Sequence, residues 1–158
     1  MRAILILPVC LLLLLARPCS PATSTPYTVV DVINGDTLLL APVHGGDSTT
    51  VKLFGLAAPG LGQPYGYAAK AFVVSAALHK TVKVRPVTHS KDSSAALVEV
   101  PGMGSLQEML LEAGLAWVWP RQCKKCSNWE AIQADAKVHE RGLWADKARV
   151  APWRWQEK

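Results

Sequence analysis

Beyond its first 22 residues the sequence has no long hydrophobic run, and the run near its start is short. Ile4–Ala16 has about 13 residues, well below the ~20 that a helix needs to span a bilayer. Arg2 precedes this run, and the small residues Ser20 and Ala22 follow it at the spacing of a cleavage site. The pattern predicts a secretory signal peptide over residues 1–22, a protein that is periplasmic or secreted, and no stable membrane span after cleavage.

Cysteine is also scarce. Cys10 and Cys19 belong to the predicted signal, which leaves Cys123 and Cys126 in the sequence Cys-Lys-Lys-Cys. A structural zinc site needs about four ligands, and the mature chain has no second cysteine pair to supply them. A redox centre of the thioredoxin type is expected beside a βαβ unit, which this sequence does not predict. In an oxidising compartment the pair predicts a short-loop disulfide, with a redox or a metal role as the alternatives.

A strong excess of charge and paired histidines are absent as well. Loss of Arg2 and Arg17 with the signal takes the formal net charge from +5 to +3. This mild excess permits a polyanionic partner without requiring one. The histidines lack the i, i+4 spacing of a helical metal pair. Surface positions are therefore expected for all four, His44, His79, His89 and His139.

Apolar residues at every second position predict five short strands, at residues 27–33, 36–41, 48–56, 81–87 and 95–100. Asn34-Gly35 marks a hairpin turn between the first two. Helices are predicted over 65–79 and 105–113, and from a capping box at Ser127 to Gly142. This order predicts an α+β, mainly β fold: a five-stranded OB-fold barrel with about three packed helices, in one domain over residues 27–155.

Five short motifs then occur in an order that resembles a known family. They are Val32–Thr37, Val51–Pro59, Pro64–Phe72, Leu110–Trp117 and Arg141–Trp144. The chain resembles thermonuclease (staphylococcal nuclease-like) domains over residues 27–155. That resemblance implies the same barrel with helices. It also implies a relation to enzymes that typically hydrolyse phosphodiesters of DNA and RNA with calcium (Ca2+).

Three positions keep part of the family's site. Where the family usually has Asp-Gly-Asp-Thr, the chain has Asn34–Thr37, so the resemblance implies that Asp36 is a metal ligand. Lys52 stands where the family has a catalytic arginine. The backbone carbonyl of Ala58 stands where a threonine carbonyl binds the metal. A role for Asp36 as a turn residue that accepts backbone hydrogen bonds is the simpler interpretation and is favoured.

The loop after the third strand lacks the acids that the family's chemistry needs. The family has Asp-Thr-Pro-Glu, in which the aspartate binds metal and the glutamate is the proposed general base, whereas the chain has Ala57–Gly60. A second catalytic arginine matches Ser94 or Ala95, with Lys91 nearby as a point charge. Losing one transition-state donor typically costs about 10²- to 10³-fold in rate. The departures therefore predict an inefficient or inactive nuclease homologue.

Six tryptophans occur in the last third of the mature chain. Trp117, Trp129 and Trp144 are expected to pack against the barrel, because indole rings contribute large apolar areas to small cores. Trp153 and Trp155 lie beside arginines in the tail. They are candidates either for exposure and base stacking or for docking on the domain.

Three functional hypotheses follow. The first is an exported thermonuclease-like barrel that has lost its catalytic centre and binds single-stranded nucleic acid or a protein. The second is a weak or altered calcium-dependent endonuclease that uses Asp36 and Lys52. The third is a structural periplasmic domain stabilised by its disulfide and tail. The sequence leaves open whether the protein is an enzyme.

Overall fold

The computed structural model describes residues 24–90, 93–124 and 126–155, of which 88–90, 93 and 94 are described by backbone alone. The predicted signal peptide over residues 1–22 and the basic side chain of Lys91 lie outside the described residues. None of the described helices is long and apolar enough to cross a membrane.

Five long strands form the closed barrel that the sequence predicts. They are β1 (Thr25–Asn34), β2 (Thr37–Pro42), β3 (Thr49–Leu53), β5 (Thr81–Ser90) and β6 (Ser93–Val100). Neighbouring strands are antiparallel in the order β3-β2-β1-β5-β6, and a parallel pairing of β3 with β6 closes the barrel. Two-residue strands add to this frame: β4 (Leu56–Ala57), β7 (Gly104–Ser105) and β8 (Trp117–Val118).

The core of the barrel follows from the alternation of apolar residues along these strands. Successive side chains of a strand point to opposite faces, so every second residue enters the interior. Leu38 and Leu40 of β2 are fully buried, and Val51 and Leu53 of β3 lie in the same cluster. The other strands contribute Val29, Val32, Val82, Val84, Ala96, Val98 and Val100.

The third strand is shorter than predicted. It ends at Leu53, and a turn at Phe54-Gly55 separates it from β4, which pairs with β8 in a separate two-stranded sheet. Gly55 has φ +78°, a conformation that L side chains rarely adopt. The apolar run therefore continues through the turn, although the barrel strand does not. The fourth and fifth barrel strands are longer than predicted, because β5 and β6 continue their pairing to Ser90 and Ser93.

Three helices cover the barrel, as predicted. Helix α1 (Gly66–Ala77) buries Ala69, Val73, Ala76 and Ala77, while α2 (Leu106–Glu112) buries Leu106, Leu110 and Leu111. Gln107 of α2 is also fully buried. Its side chain accepts from the Val98 N–H and donates to the Ala96 carbonyl, which fixes the helix to β6.

Helix α3 (Ser127–Val138) begins at the predicted residue and ends earlier than predicted. Its N-cap is Cys126, without a side-chain hydrogen bond, so the capping box predicted at Ser127 does not form. A short 3₁₀ segment, Gly142–Ala145, follows and places Trp144 against Trp117 in an edge-to-face pair with ring centroids 5.5 Å apart. Both rings are buried, as expected, whereas Trp153 is exposed.

Candidate functional site

The turn between β1 and β2 sets up the candidate site. The Asp36 N–H donates to the Asn34 side-chain oxygen at 2.9 Å. Asn34 is thus the residue whose side chain closes the turn. Asp36 also accepts a backbone hydrogen bond, but from Ala58 in the loop after β3 rather than from within its own turn.

The Asp36 carboxylate is buried, with only 4% of the residue exposed. Its Oδ1 accepts from the Thr37 hydroxyl at 2.8 Å. Its Oδ2 accepts from the backbone N–H of Ala58 at 3.1 Å, across 22 positions of sequence. Because buried polar groups must be hydrogen-bonded, these contacts give the carboxylate a structural role at the exit of the third strand.

Lys52 lies beside this carboxylate because of the register between β2 and β3. Thr37 and Lys52 are opposite each other in the antiparallel pair. The Lys52 Nζ lies 3.5 Å from Asp36 Oδ2 in an ion pair. The lysine side chain is 43% exposed, so water screens the pair and its contribution to stability is small. Its main effect is to neutralise the buried charge.

Gly35 allows the turn, the loop and α1 to meet. A Cβ at this position would lie 2.6 Å from the Ala69 Cβ and 2.8 Å from the Ala58 Cβ, closer than real carbon atoms approach. Ala57, Ala58 and Pro59 are buried, and Gly60 is exposed. The small residues of the loop therefore match the close packing between the first turn and α1.

The positions matched to the family's second arginine also lie next to this site. Ala95 is the Cα partner of Lys52 in the parallel pair that closes the barrel, and Ser94 is the partner of Val51. Ala95 is buried and has no polar side chain. The strand geometry thus puts Ala95 beside Lys52, and the Ala95 side chain supplies no cation there.

The donors near Asp36 do not fit the calcium ion that the resemblance implies. Calcium takes six to eight oxygen ligands, mostly carboxylates. Among residues 24–90, 93–124 and 126–155, no group of three or more His, Cys, Asp or Glu side chains is placed to hold a metal. Both oxygens of Asp36 already accept hydrogen bonds, and Lys52 supplies a positive charge at Oδ2. Asp31 and Asp47 are exposed, and neither takes part in the contacts around Asp36.

The predicted disulfide between Cys123 and Cys126 is present, with Cα atoms 5.4 Å apart. It lies beside Gly55, in the turn that ends β3, and not beside Asp36. Cys123 is buried in the barrel's core cluster, and Trp129 packs against the same cluster. Trp129 also donates its ring N–H to the Glu108 carboxylate at 3.1 Å, so the polar atom of the indole ring has a hydrogen-bond partner.

Two contacts of the strand exit were not predicted. The Gly55 N–H donates to the Gln122 side-chain oxygen at 3.0 Å, and the Trp119 N–H donates to the Gly55 carbonyl at 2.8 Å. Both join residues that are far apart in sequence. No local pattern indicates such contacts, although a glycine inside an apolar run does point to a turn or a close approach of two chain segments.

Comparison with known proteins identifies a family for the chain. Residues 50–146, which include most of β3, the following loop, α1, α2, α3 and the disulfide, match the family described as staphylococcal nuclease homologue. A protein named "Uncharacterized endonuclease" from Escherichia coli O157:H7 is 28% identical over 131 residues, which cover 82% of this chain and 84% of that protein. A second protein of that name, from Escherichia coli, has the same identity and coverage.

The matched segment spans more than half of the chain and holds Lys52, the loop Ala57–Gly60 and the residues that pack around them. Asp36 lies just before the segment and is joined to it by the Ala58 hydrogen bond. The chain therefore belongs to the staphylococcal nuclease homologue family.

Proposed function

We propose that this protein is an exported member of the staphylococcal nuclease family that binds single-stranded nucleic acid without a metal ion and does not cleave it efficiently. The observation that carries the proposal is the ion pair between Lys52 and Asp36. It places a lysine ammonium beside the one family carboxylate that the chain retains.

The ion pair changes the charge that a phosphodiester meets at this site. Members of this family are calcium-dependent, and a bound cation offsets the negative charge of the acidic ligands. In this chain the ammonium of Lys52 performs that neutralisation. A phosphate that approaches the loop then meets a half-exposed cation rather than an uncompensated carboxylate, so binding needs no divalent ion.

Efficient cleavage needs groups that the loop does not supply. Hydrolysis requires a base to activate water and cationic donors for the charge that develops on the phosphorus oxygens. The loop Ala57–Gly60 contains no side chain that titrates, and Ala95 stands beside Lys52 in place of a second donor. Lysine is also a point donor and cannot form the bidentate contact of an arginine fork.

Export is supported by two features of the chain. The first 22 residues have the pattern of a cleaved signal. The disulfide between Cys123 and Cys126 is of a kind that persists in oxidising compartments. The mature protein is expected to begin at Thr23. Sequencing of the N-terminus after secretion tests this, and a protein that retains residues 1–22 in the cytoplasm would refute it.

The test of binding uses mature protein and a fluorescent single-stranded DNA of about 20 nucleotides. Affinity is measured by anisotropy in EDTA and in calcium, over a series of salt concentrations. We expect equal affinity in the two buffers and a fall in affinity as salt rises, because phosphate contacts release counterions. No binding at low salt would reject the proposal in favour of a protein partner or a structural role.

Variants locate the binding to this site. Lys52→Ala should weaken binding about tenfold, which corresponds to about 1.4 kcal/mol for a charge-assisted contact. The double variant Lys52→Ala/Asp36→Ala should recover part of the loss, since the unpaired carboxylate is removed as well. Lys83→Ala is the matched control, because Lys83 is also a half-exposed lysine in an ion pair, with Glu99 at 3.7 Å.

The same samples test the alternative of a weak endonuclease. Labelled DNA is incubated with the protein and calcium, and the products are separated by length. We expect no cleavage above the level of a preparation of the Asp36→Ala variant. Calcium-dependent cleavage that disappears in that variant would show that the site is catalytic.

A further inference from the structure

The disulfide lies at the start of α3 with its two sulfurs in different surroundings. Cys123 is 2% exposed and belongs to the barrel's core cluster. Cys126 is partly exposed and is the N-cap of α3, a helix of 12 residues. Lys124 between them is exposed. Cys126 is therefore the sulfur that a thiol in solution can reach, and the helix N-terminus stabilises it as the thiolate released in the last step of exchange.

The loop that carries this disulfide holds both backbone polar groups of Gly55. Gln122, next to Cys123, accepts the Gly55 N–H at 3.0 Å. Trp119 donates its N–H to the Gly55 carbonyl at 2.8 Å and also accepts from the Cys123 N–H at 3.0 Å. A Cβ at Gly55 would lie 3.1 Å from the Cys123 Sγ. The disulfide is thus in direct contact with the turn that ends β3.

This turn leads within three residues to the candidate site. Leu56 and Ala57 form β4, which pairs with Val118 and Trp117 of β8, just before the disulfide loop. Ala58 follows and donates its N–H to Asp36. The four consecutive residues 55–58 are therefore held by hydrogen bonds to the disulfide loop, to β8 and to the buried carboxylate.

We propose that Cys123–Cys126 is an exchangeable disulfide whose reduction by a dithiol loosens the segment Gly55–Ala58. A thiolate of the dithiol attacks the Cys126 Sγ, the Sγ–Sγ bond breaks, and Cys123 leaves as a thiolate that takes up a proton. The second thiol of the dithiol then attacks the mixed disulfide and releases Cys126. The cysteines gain two electrons and two protons, and the dithiol becomes a disulfide.

Loss of the cross-link frees the loop that contains Gln122. A covalent bridge restricts the conformations of the residues it encloses, so its removal allows Cys123 and Gln122 to move away from Gly55. The Gly55 N–H then loses its acceptor for part of the time, and the short β4–β8 pairing loses its adjacent anchor. The barrel strands keep their hydrogen bonds to one another, so the loosening is confined to residues 55–58.

Reactivity of single thiols tests the chemical part. Cys123→Ala leaves Cys126 as the free thiol, and Cys126→Ala leaves Cys123. With iodoacetamide on folded protein, Cys126 should react about tenfold faster or more, because it is partly exposed and lies at a helix N-terminus. Equal rates, or faster reaction of Cys123, would overturn the assignment of Cys126 as the attacked sulfur.

Amide hydrogen exchange tests the structural part, independently of the proposed function. Full-length mature protein is measured oxidised and after treatment with dithiothreitol, with two thiols counted by alkylation. Exchange over residues 55–58 should rise about tenfold, while Val29 and Val82 in the barrel remain protected. Gln122→Ala keeps the disulfide and should raise exchange at Gly55. Unchanged exchange over 55–58 in the reduced protein, or reduction only after global unfolding, would overturn the proposal.

Discussion

The carboxylate of Asp36 and the backbone N–H of Ala58 are joined by a hydrogen bond of 3.1 Å across 22 positions of sequence. It ties the first hairpin turn to the loop that leaves β3. Asn34 closes the turn and Thr37 holds the second carboxylate oxygen, so Asp36 is oriented from both sides. The residue that the resemblance assigns to metal binding thus already has a structural task in this chain.

Replacement of this carboxylate should destabilise the protein. Asp36→Ala leaves the buried Ala58 N–H without an acceptor, and we expect a loss of about 2 kcal/mol in the free energy of unfolding. Asp36→Asn keeps one acceptor oxygen and should cost less. Denaturation in urea measures both. Asp47→Ala, at an exposed acid in another turn, serves as the control and should stay within about 0.5 kcal/mol of the parent.

The close approach at Gly35 predicts a second stability effect. Gly35→Ala forces its Cβ against Ala69 and Ala58, and overpacking of this kind typically costs about 1–3 kcal/mol. Gly60→Ala is the matched control in the adjoining loop, where a Cβ would meet nothing within 4 Å. Thermal unfolding should show a lower midpoint for the first variant alone. Equal midpoints would contradict the packing described for the turn.

Calcium should not stabilise the parent protein. A ligand that binds only the folded state raises its stability, by about 2.7 kcal/mol at 100 times its Kd. The donors around Asp36 do not form such a site, so the melting temperature of the parent should be the same in calcium and in EDTA. The variant Ala57→Asp/Gly60→Glu places two carboxylates at the positions that the resemblance implies for the family's acids, and its melting temperature should rise in calcium. A rise in the parent would contradict our account of the site.

The buried amide of Gln107 predicts a large local effect on the other side of β6. Gln107→Ala removes the partner of both the Val98 N–H and the Ala96 carbonyl. With two backbone groups left unpaired, a loss of about 2–4 kcal/mol is expected in urea denaturation. Glu112→Ala, at an exposed position of the same helix, is the control. A cost below about 1 kcal/mol would show that water reaches these groups.

Much of the barrel is predictable from local patterns, because the alternation of apolar residues directly reflects which face of a strand is buried. The third strand shows the limit. Val51 and Leu53 alternate as expected, but Leu56 and Ala57 are also buried, in a different sheet. Hydropathy alone does not separate two buried strands joined by a turn, and Gly55 is the one residue in the run that indicates the break.

The site was predictable in its members but not in its contacts. The resemblance identifies Asp36 and Lys52, yet their ion pair depends on the register that sets Thr37 opposite Lys52. The partner of Asp36 has the same origin: an acceptor of backbone hydrogen bonds is expected from the turn chemistry, but only the packing of the loop after β3 makes Ala58 the donor. The contacts of Gln122 and Gln107 with distant backbone groups cannot be predicted from local sequence patterns.

The parallel pairing of β3 with β6 affects the order in which the chain can fold. Val51–Leu53 pairs with Ser94–Ala96, so the partner of β3 is synthesised after α1 and β5. Until then one edge of β3 presents unpaired N–H and C=O groups, which can recruit another chain. A product that stops before Ser93 contains four of the five barrel strands and still cannot close. Stalled synthesis in that interval should therefore yield the form of this protein most prone to aggregation.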